Sequence, residues 1–197
     1  MIKSKSSKST KLKGKGFYDK TVNYFTGSNL KDGEMHAVIY DPKSKKYTTA
    51  NYTGPGTKLL ERLKAGDQPK VKSDKVSQAH DIRYTLSKDI EGIKNADSKM
   101  VNKLKELQKN KEDSNFNIIP AKLGIQANQV LAKVLPTKYF DKFVNYMTNY
   151  KSANDKLSSE DKKLLETKLS ELENEGFGKK RVRKTKKNKT RSLRDFY

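Results

Sequence analysis

The chain has 197 residues, with 34% charged against 32% hydrophobic residues and a formal net charge of +21. It contains no cysteine, which excludes disulfides and thiolate-held zinc and leaves nothing to mark an oxidising compartment. The apolar share predicts one modest core with disordered ends, and no apolar run approaches the ~18 residues that would span a bilayer or follows the basic start as a secretory signal would.

Residues 1–16 are rich in Lys, Ser and Gly and are expected to form a disordered basic tail. Over residues 1–20, seven lysines stand against Asp19, a net +6. A β-hairpin is expected next, with arms Glu34–Tyr40 and Lys46–Tyr52 rich in Val, Ile, Tyr and Thr and a turn at Asp41-Pro42-Lys43-Ser44. The second arm runs into Tyr52-Thr53-Gly54-Pro55-Gly56-Thr57, where two glycines around a proline demand a tight loop.

A short helix should follow, capped by Thr57 and ended by Gly66, with Leu59, Leu60 and Leu63 inward. Ser73 is the expected cap of a helix over about 74–91, and Gly92 the break before a partner helix over about 95–110. On that partner, Asp97, Met100, Val101 and Leu104 recur at i, i+3, i+4 and i+7. Asp97 thus falls in an apolar stripe, and a carboxylate turned inward needs a partner.

Between 117 and 150, Pro120 and Pro136 are expected to divide an apolar stretch into short helices. A charged helix is expected over 153–174, with Leu165, Leu169 and Leu172 on one stripe and Ser158 and Asp161 at its cap. Gly176-Phe177-Gly178 should end it. Residues 178–197 hold ten Lys or Arg against Asp195, a net +9. Within that block Lys179, Lys180, Arg181, Arg183, Lys184, Lys186, Lys187, Lys189 and Arg191 suit an anionic partner: nucleic acid, an anionic membrane or an import receptor.

His80 and Tyr84 are four apart and share a helical face, while Asp81 is turned about 100° away. Alone, the pair reads as a surface histidine beside a surface acid, and Gly54-Pro55-Gly56 as an ordinary turn. Their co-occurrence with an inward Asp97 carries more weight. A bent glycine loop can aim several carbonyls at one point, and carbonyls with a carboxylate suit the hard cation Ca²⁺. His36, the other histidine, falls in a predicted strand and reads as structural.

Tyr52-x-Gly54-x-Gly56, then His80-Asp81-x-x-Tyr84, then Ala96-Asp97 resemble the phospholipase A2 family over about residues 34–107. The likeness is nearest to the cysteine-free version in the N-terminal region of the parvovirus minor capsid protein, with similar domains in other DNA viruses and virus-like transposons. The resemblance implies a mainly α fold: two antiparallel catalytic helices, a glycine-rich calcium loop, a leading β-hairpin, extra C-terminal helices and disordered basic tails. The division expected is 1–16 tail, 17–112 phospholipase A2-like domain with its hairpin, 113–176 helical extension and 177–197 basic tail.

The resemblance also implies roles. His80 would be the general base, Asp97 would orient it, and Tyr84 would support Asp97. Asp81 and the carbonyls of Tyr52, Gly54 and Gly56 would bind Ca²⁺, and the Gly54 N–H would assist the oxyanion. The implied activity is calcium-dependent hydrolysis of the sn-2 ester of glycerophospholipids at a membrane surface, by a virion protein acting during entry. Capsid proteins are the partners that the resemblance adds; the lack of an apolar span or secretory signal leads to the expectation of a soluble, not conventionally secreted chain, and Lys179–Arg191 suits nuclear import in a host cell. The alternative is a capsid-associated or nucleic-acid-binding protein that keeps the fold without turnover.

Overall fold

A computed structural model describes Leu30 and residues 34–176. Both predicted basic tails, including Lys179–Arg191, lie outside the described residues, as does Phe177-Gly178. Among the described residues nine elements follow in order: β1 (Val38–Asp41), β2 (Lys46–Thr49), α1 (Leu59–Lys64), α2 (Lys72–Leu86), α3 (Ile90–Lys109), α4 (Asn115–Val134), α5 (Thr137–Thr148), α6 (Tyr150–Asp155) and α7 (Ser159–Asn174). The fold is mainly helical, with a two-stranded antiparallel hairpin ahead of the helices.

The hairpin pairs Val38 with Thr49 and Asp41 with Lys46. Its strands are shorter than expected. Met35 and Ala37 leave the ladder and donate their N–H groups to Pro55 O (3.1 Å) and Thr53 O (2.7 Å), so the chain before β1 grips the glycine loop. The turn works as its residues require: Asp41 accepts from Lys43 N at 2.9 Å and from the Ser44 hydroxyl at 2.8 Å.

Helix α1 starts without the expected Thr57 cap. Its cap residue is Lys58, whose N–H donates to Glu34 Oε1 at 2.9 Å. Leu59 is buried and Leu60 and Leu63 are partly buried, as their spacing implies, but Arg62 is buried as well. Arg62 Nε donates to Glu34 Oε1 (2.8 Å), its guanidinium closes on Glu34 Oε2, and a further nitrogen reaches Asp67 Oδ2 (3.0 Å). Gly66 ends the helix in the left-handed region (φ +76°), which suits glycine.

Helix α2 is central. Ala79 and Ile82 pack with Tyr52, Leu59 and, from α7, Leu165 and Leu172. Val76 packs with Met100, Leu104 and Leu107 of α3 and Ile118 of α4. Tyr84 packs with Ile93 and Ala96 of α3 and with Phe140, Val144 and Tyr150 of the later helices. The helix begins earlier than predicted, at Lys72, so Ser73 is not its cap; a remote acceptor, Asp113 Oδ2, takes the Ser73 N–H at 2.7 Å. It also stops earlier, at Leu86.

Gly92 does not break the chain. Asp89 caps α3 by accepting from Gly92 N at 2.8 Å, and helix runs through the glycine. A Cβ at 92 would lie 3.0 Å from Ser87 Oγ, so the three-residue α2–α3 connection packs tightly over it. Pro120 does not divide α4 either. Ser114 caps that helix by accepting from Asn117 N (3.2 Å), and Pro120 lies inside it on an exposed side. Pro136 does separate α4 from α5. The charged helix is two pieces, α6 and α7. Ser158 caps α7 as expected, accepting from Asp161 N at 3.0 Å, and Gly176 follows it at φ +92°.

The Arg62–Glu34 pair generates a stability prediction. Replacing Arg62 by Met keeps the hydrophobic stem and leaves Glu34 charged in the interior. The expected cost is about 3–5 kcal/mol, read as a lower urea midpoint with an unchanged m-value; a change under ~1 kcal/mol would show the pair to be unimportant.

Candidate active site

The pairing of α2 with α3 brings two predicted side chains to one oxygen of a third, Asp97. His80 Nε2 lies 2.9 Å from Asp97 Oδ1, and the Tyr84 hydroxyl donates to the same oxygen at 2.6 Å. The His80 and Tyr84 rings sit 4.3 Å apart between centroids. Asp97 is 2% exposed and His80 6%. Because α3 starts at Ile90, Asp97 lies beyond its first turn, and its carboxylate faces α2 rather than the helix N-terminus.

This arrangement selects a tautomer. A carboxylate only accepts, so the His80 Nε2 proton is held by Asp97, and in the neutral ring Nδ1 is the nitrogen left with a lone pair. Nδ1 lies 3.3 Å from Asp81 Oδ1. Burial alone would lower the His80 pKa, but the hydrogen bonds and charges of Asp81 and Asp97 outweigh it and push it up to about 9. Burial raises the Asp81 pKa, with His80 pulling the other way. Burial and the Asp97 charge keep the Tyr84 phenol protonated.

The glycine loop lies on another side of α2. Positions 74, 77 and 81 share a helical face, and all three meet the loop side of the molecule. Asp74, fully buried, accepts from Tyr52 N (2.8 Å) and Asn51 N (3.0 Å), and from Lys70 N (3.1 Å). The Thr53 hydroxyl lies 3.1 Å from Asp74 Oδ1 and 2.9 Å from Ser77 Oγ. Gly54 has φ +147°, and a Cβ there would come within 2.3 Å of Met35 O, so only glycine permits this approach.

Thr57, passed over as a helix cap, lies at 3.1 Å from Gly54 O and 3.2 Å from His36 Nε2. It is also among the groups that hold down the Asp81 pKa. His36 is buried, its Nδ1 donating to Ala50 O at 2.9 Å, and burial keeps its pKa below the usual value. It backs the loop and lies apart from the His80–Asp97 pair. Asp74 and Thr57 were missed by the sequence reading. The legible signal for Asp74 was its spacing of seven from Asp81.

Among the described residues, no three His, Asp or Glu side chains gather to hold a metal. A cation here would rest on one carboxylate and the loop backbone. Asp81 Oδ2 is buried and makes no hydrogen bond, an acceptor without a donor. Thr53 and Pro55 spend their carbonyls on Ala37 and Met35, and Gly54 O accepts from the Thr57 hydroxyl at 3.1 Å; a cation drawing on the alternate carbonyls of Tyr52, Gly54 and Gly56 would share the Gly54 oxygen with that hydroxyl. An oxygen-only set of this kind fits a hard cation such as Ca²⁺.

Two outcomes are expected. A folded-state pKa near 9 against 6.5 unfolded means that His80 binds a proton more tightly when folded. Its contribution is therefore fully present below pH 6.5 and is lost as pH rises through 9. Denaturant melts of the calcium-free protein should show stability falling across that window, and His80→Gln should flatten the fall. Asp74→Asn should cost ~1–3 kcal/mol, because an amide cannot accept from all of these donors at once. Equal urea midpoints for the variant and the parent would remove Asp74 from this role.

Comparison with known families agrees with the geometry. The family model described as phospholipase A2-like domain matches residues 43–125, a span that holds Tyr52–Gly56, His80, Asp81, Tyr84 and Asp97. It begins in the hairpin turn and ends within α4. No curated protein and no solved structure matches the chain. Residues 43–125, with the glycine loop and the two paired helices at their centre, form a phospholipase A2-like domain.

Proposed function

We propose that this domain hydrolyses the sn-2 ester of glycerophospholipids and that it uses Ca²⁺ to do so. The observation that carries this reading is the single buried oxygen of Asp97, which takes both His80 Nε2 and the Tyr84 hydroxyl and leaves His80 Nδ1 turned toward Asp81. A histidine oriented by a carboxylate through one nitrogen is a general base at the other once that nitrogen has lost its proton.

In this reading Nδ1 takes a proton from the water that attacks the ester carbonyl. The imidazolium so formed is stabilised by Asp97, whose carboxylate Tyr84 keeps in place. The same proton then passes from Nδ1 to the departing glycerol oxygen. The single bond from the acyl carbon to that glycerol oxygen breaks as the carbonyl re-forms, and a fatty acid and a lysophospholipid leave. The Gly54 N–H would donate to the oxyanion. Ca²⁺, when bound by Asp81 and the carbonyls of Tyr52, Gly54 and Gly56, would supply positive charge that polarises the ester and offsets the oxyanion.

The raised His80 pKa supports a role for the cation. With the pKa near 9, a calcium-free His80 is mostly protonated at neutral pH and is a poor base. Two carboxylates hold that proton. A dication on Asp81 opposes the imidazolium and should bring the pKa down.

Fatty-acid release from phospholipid vesicles should therefore require Ca²⁺ and stop with chelator. His80→Gln should lower turnover by at least ~10²–10⁴-fold. Asp97→Asn should lower it by about 10³-fold or more with a much smaller change in melting temperature, since the amide favours the wrong tautomer. Wild-type turnover in either variant would sink the mechanism. NMR titration of the His80 ring should show its pKa moving down on adding Ca²⁺, with Asp81→Asn removing the calcium effect; an unmoved pKa would place the cation elsewhere.

A further inference from the structure

Helix α4 is apolar on both of its sides. One side presents Ile118 and Ala121 to the cluster built by α2 and α3. On the opposite side Phe116, Ile119, Leu123, Val130 and Val134 are between 45% and 72% exposed. Their spacings of three, four, seven and four place all five on one helical stripe. A helix that is apolar all round normally has both faces covered, and a continuous exposed apolar stripe marks an interaction surface.

Charge indicates what covers it. No Asp or Glu occurs between Asp113 and Asp141, while Lys122, Lys133 and Lys138 fall in that span. Lys122 is turned to Gln108 on α3 (3.1 Å), and Lys133 and Lys138 are exposed. A second copy of the chain would set lysine against lysine with no acid from this span to pair with. The N-terminal segment is itself basic, and a nucleic acid would leave the apolar stripe in water. An anionic lipid surface satisfies both the apolar residues and the lysines.

We propose that the exposed face of α4 docks on anionic lipid, with its stripe in the boundary between headgroups and acyl chains and Lys133 and Lys138 against lipid phosphates. The choice of a lipid surface rests on reading the domain as a lipid hydrolase. No described helix is long and apolar enough to cross a membrane, so α4 lies on the surface rather than through it. The helix also backs the site. Asn128, on the inward side of α4, interacts with the Tyr84 hydroxyl, and Leu131 packs on the Tyr84 cluster. The docked surface would thus lie about one helix diameter, ~10 Å, from the Tyr84–Asp97 pair.

The chain has no tryptophan, so Val130→Trp in the full-length protein gives a single reporter on the stripe. Lys163→Trp, exposed on α7, is the control. Each is mixed with vesicles of phosphatidylglycerol or phosphatidylcholine carrying bromine on the acyl chains. Emission from Val130→Trp should shift to the blue and be quenched on the anionic vesicles, with Lys163→Trp unchanged. Leu123→Glu should weaken partition onto those vesicles about tenfold or more while leaving hydrolysis of a monomeric short-chain phospholipid intact. Three results would overturn the proposal: no quenching of Val130→Trp, equal quenching on phosphatidylcholine, or blue-shifted emission before vesicles are added, which would mean the stripe is already covered by the chain or by a second copy. Quenching with no hydrolysis of either substrate would leave the docking surface standing and count against the enzymatic reading.

Discussion

One buried carboxylate oxygen sets the geometry of the paired helices α2 and α3. Asp97 Oδ1 accepts from the Tyr84 hydroxyl and meets His80 Nε2, and leaving that carboxylate without donors would cost more than the helix packing around it could tolerate. The oxygen reaches both partners because α2 and α3 are locked in register. Asp89 starts α3 where it does, Gly92 lets Ser87 come close, and a connection of three residues turns the chain. Met100, Leu104 and Leu107 then hold the two helices together against Val76 and Ile118. Moving the α3 start by one residue would rotate Asp97 by about 100° and take it out of reach.

That much was written in spacing. The i, i+3, i+4, i+7 pattern of Asp97, Met100, Val101 and Leu104 placed the acid inward, and all four are buried. The four-residue gap between His80 and Tyr84 placed both on the face that meets it. The hairpin turn at Asp41 and the cap at Ser158 were equally local, because each is satisfied by side chains within three residues. Fold class came from the family resemblance that these residues carry, and the mainly helical fold with its leading hairpin agrees with it.

The features that were not legible depend on distant partners. Helix α2 has no amphipathic stripe because polar side chains are buried on it beside apolar ones: Ser73, Asp74, Ser77, Gln78 and His80 are all inside. Periodicity of hydrophobic residues says nothing about such a helix. Its start was misplaced because the acceptor for Ser73 N–H, Asp113, lies forty residues on. Thr57 looked like a cap, but Glu34 took the N–H of Lys58, and the threonine hydroxyl went to the loop instead. Pro120 looked like a divider, yet it stands early in α4, on an exposed side. There the missing N–H and the ring are tolerated near the start of a helix anchored by Ser114 and by Asn117, which clamps Tyr40 O and N at 3.0 and 2.9 Å.

A domain of this size without cysteine must hold its loops by other means, and here acids, two of them fully buried, take that part. Glu34 ties the segment before the hairpin to α1, Asp113 ties α4 to the start of α2, and Asp74 ties the glycine loop to α2. A charged hydrogen bond contributes about 1.5–3 kcal/mol, against about 2–4 for a disulfide, so several such clamps can replace a cross-link. They differ in one respect that matters at the site. A disulfide would fix the loop at one point, whereas Asp74 takes the consecutive N–H groups of Asn51 and Tyr52. The backbone entering the loop is thereby oriented as well as tethered. Asp81 lies two helical turns further along the same face of α2. The helix therefore carries the acid that sets the loop and the acid that the loop carbonyls would share a cation with on one rigid edge, and the distance between them is fixed by helix geometry rather than by the loop.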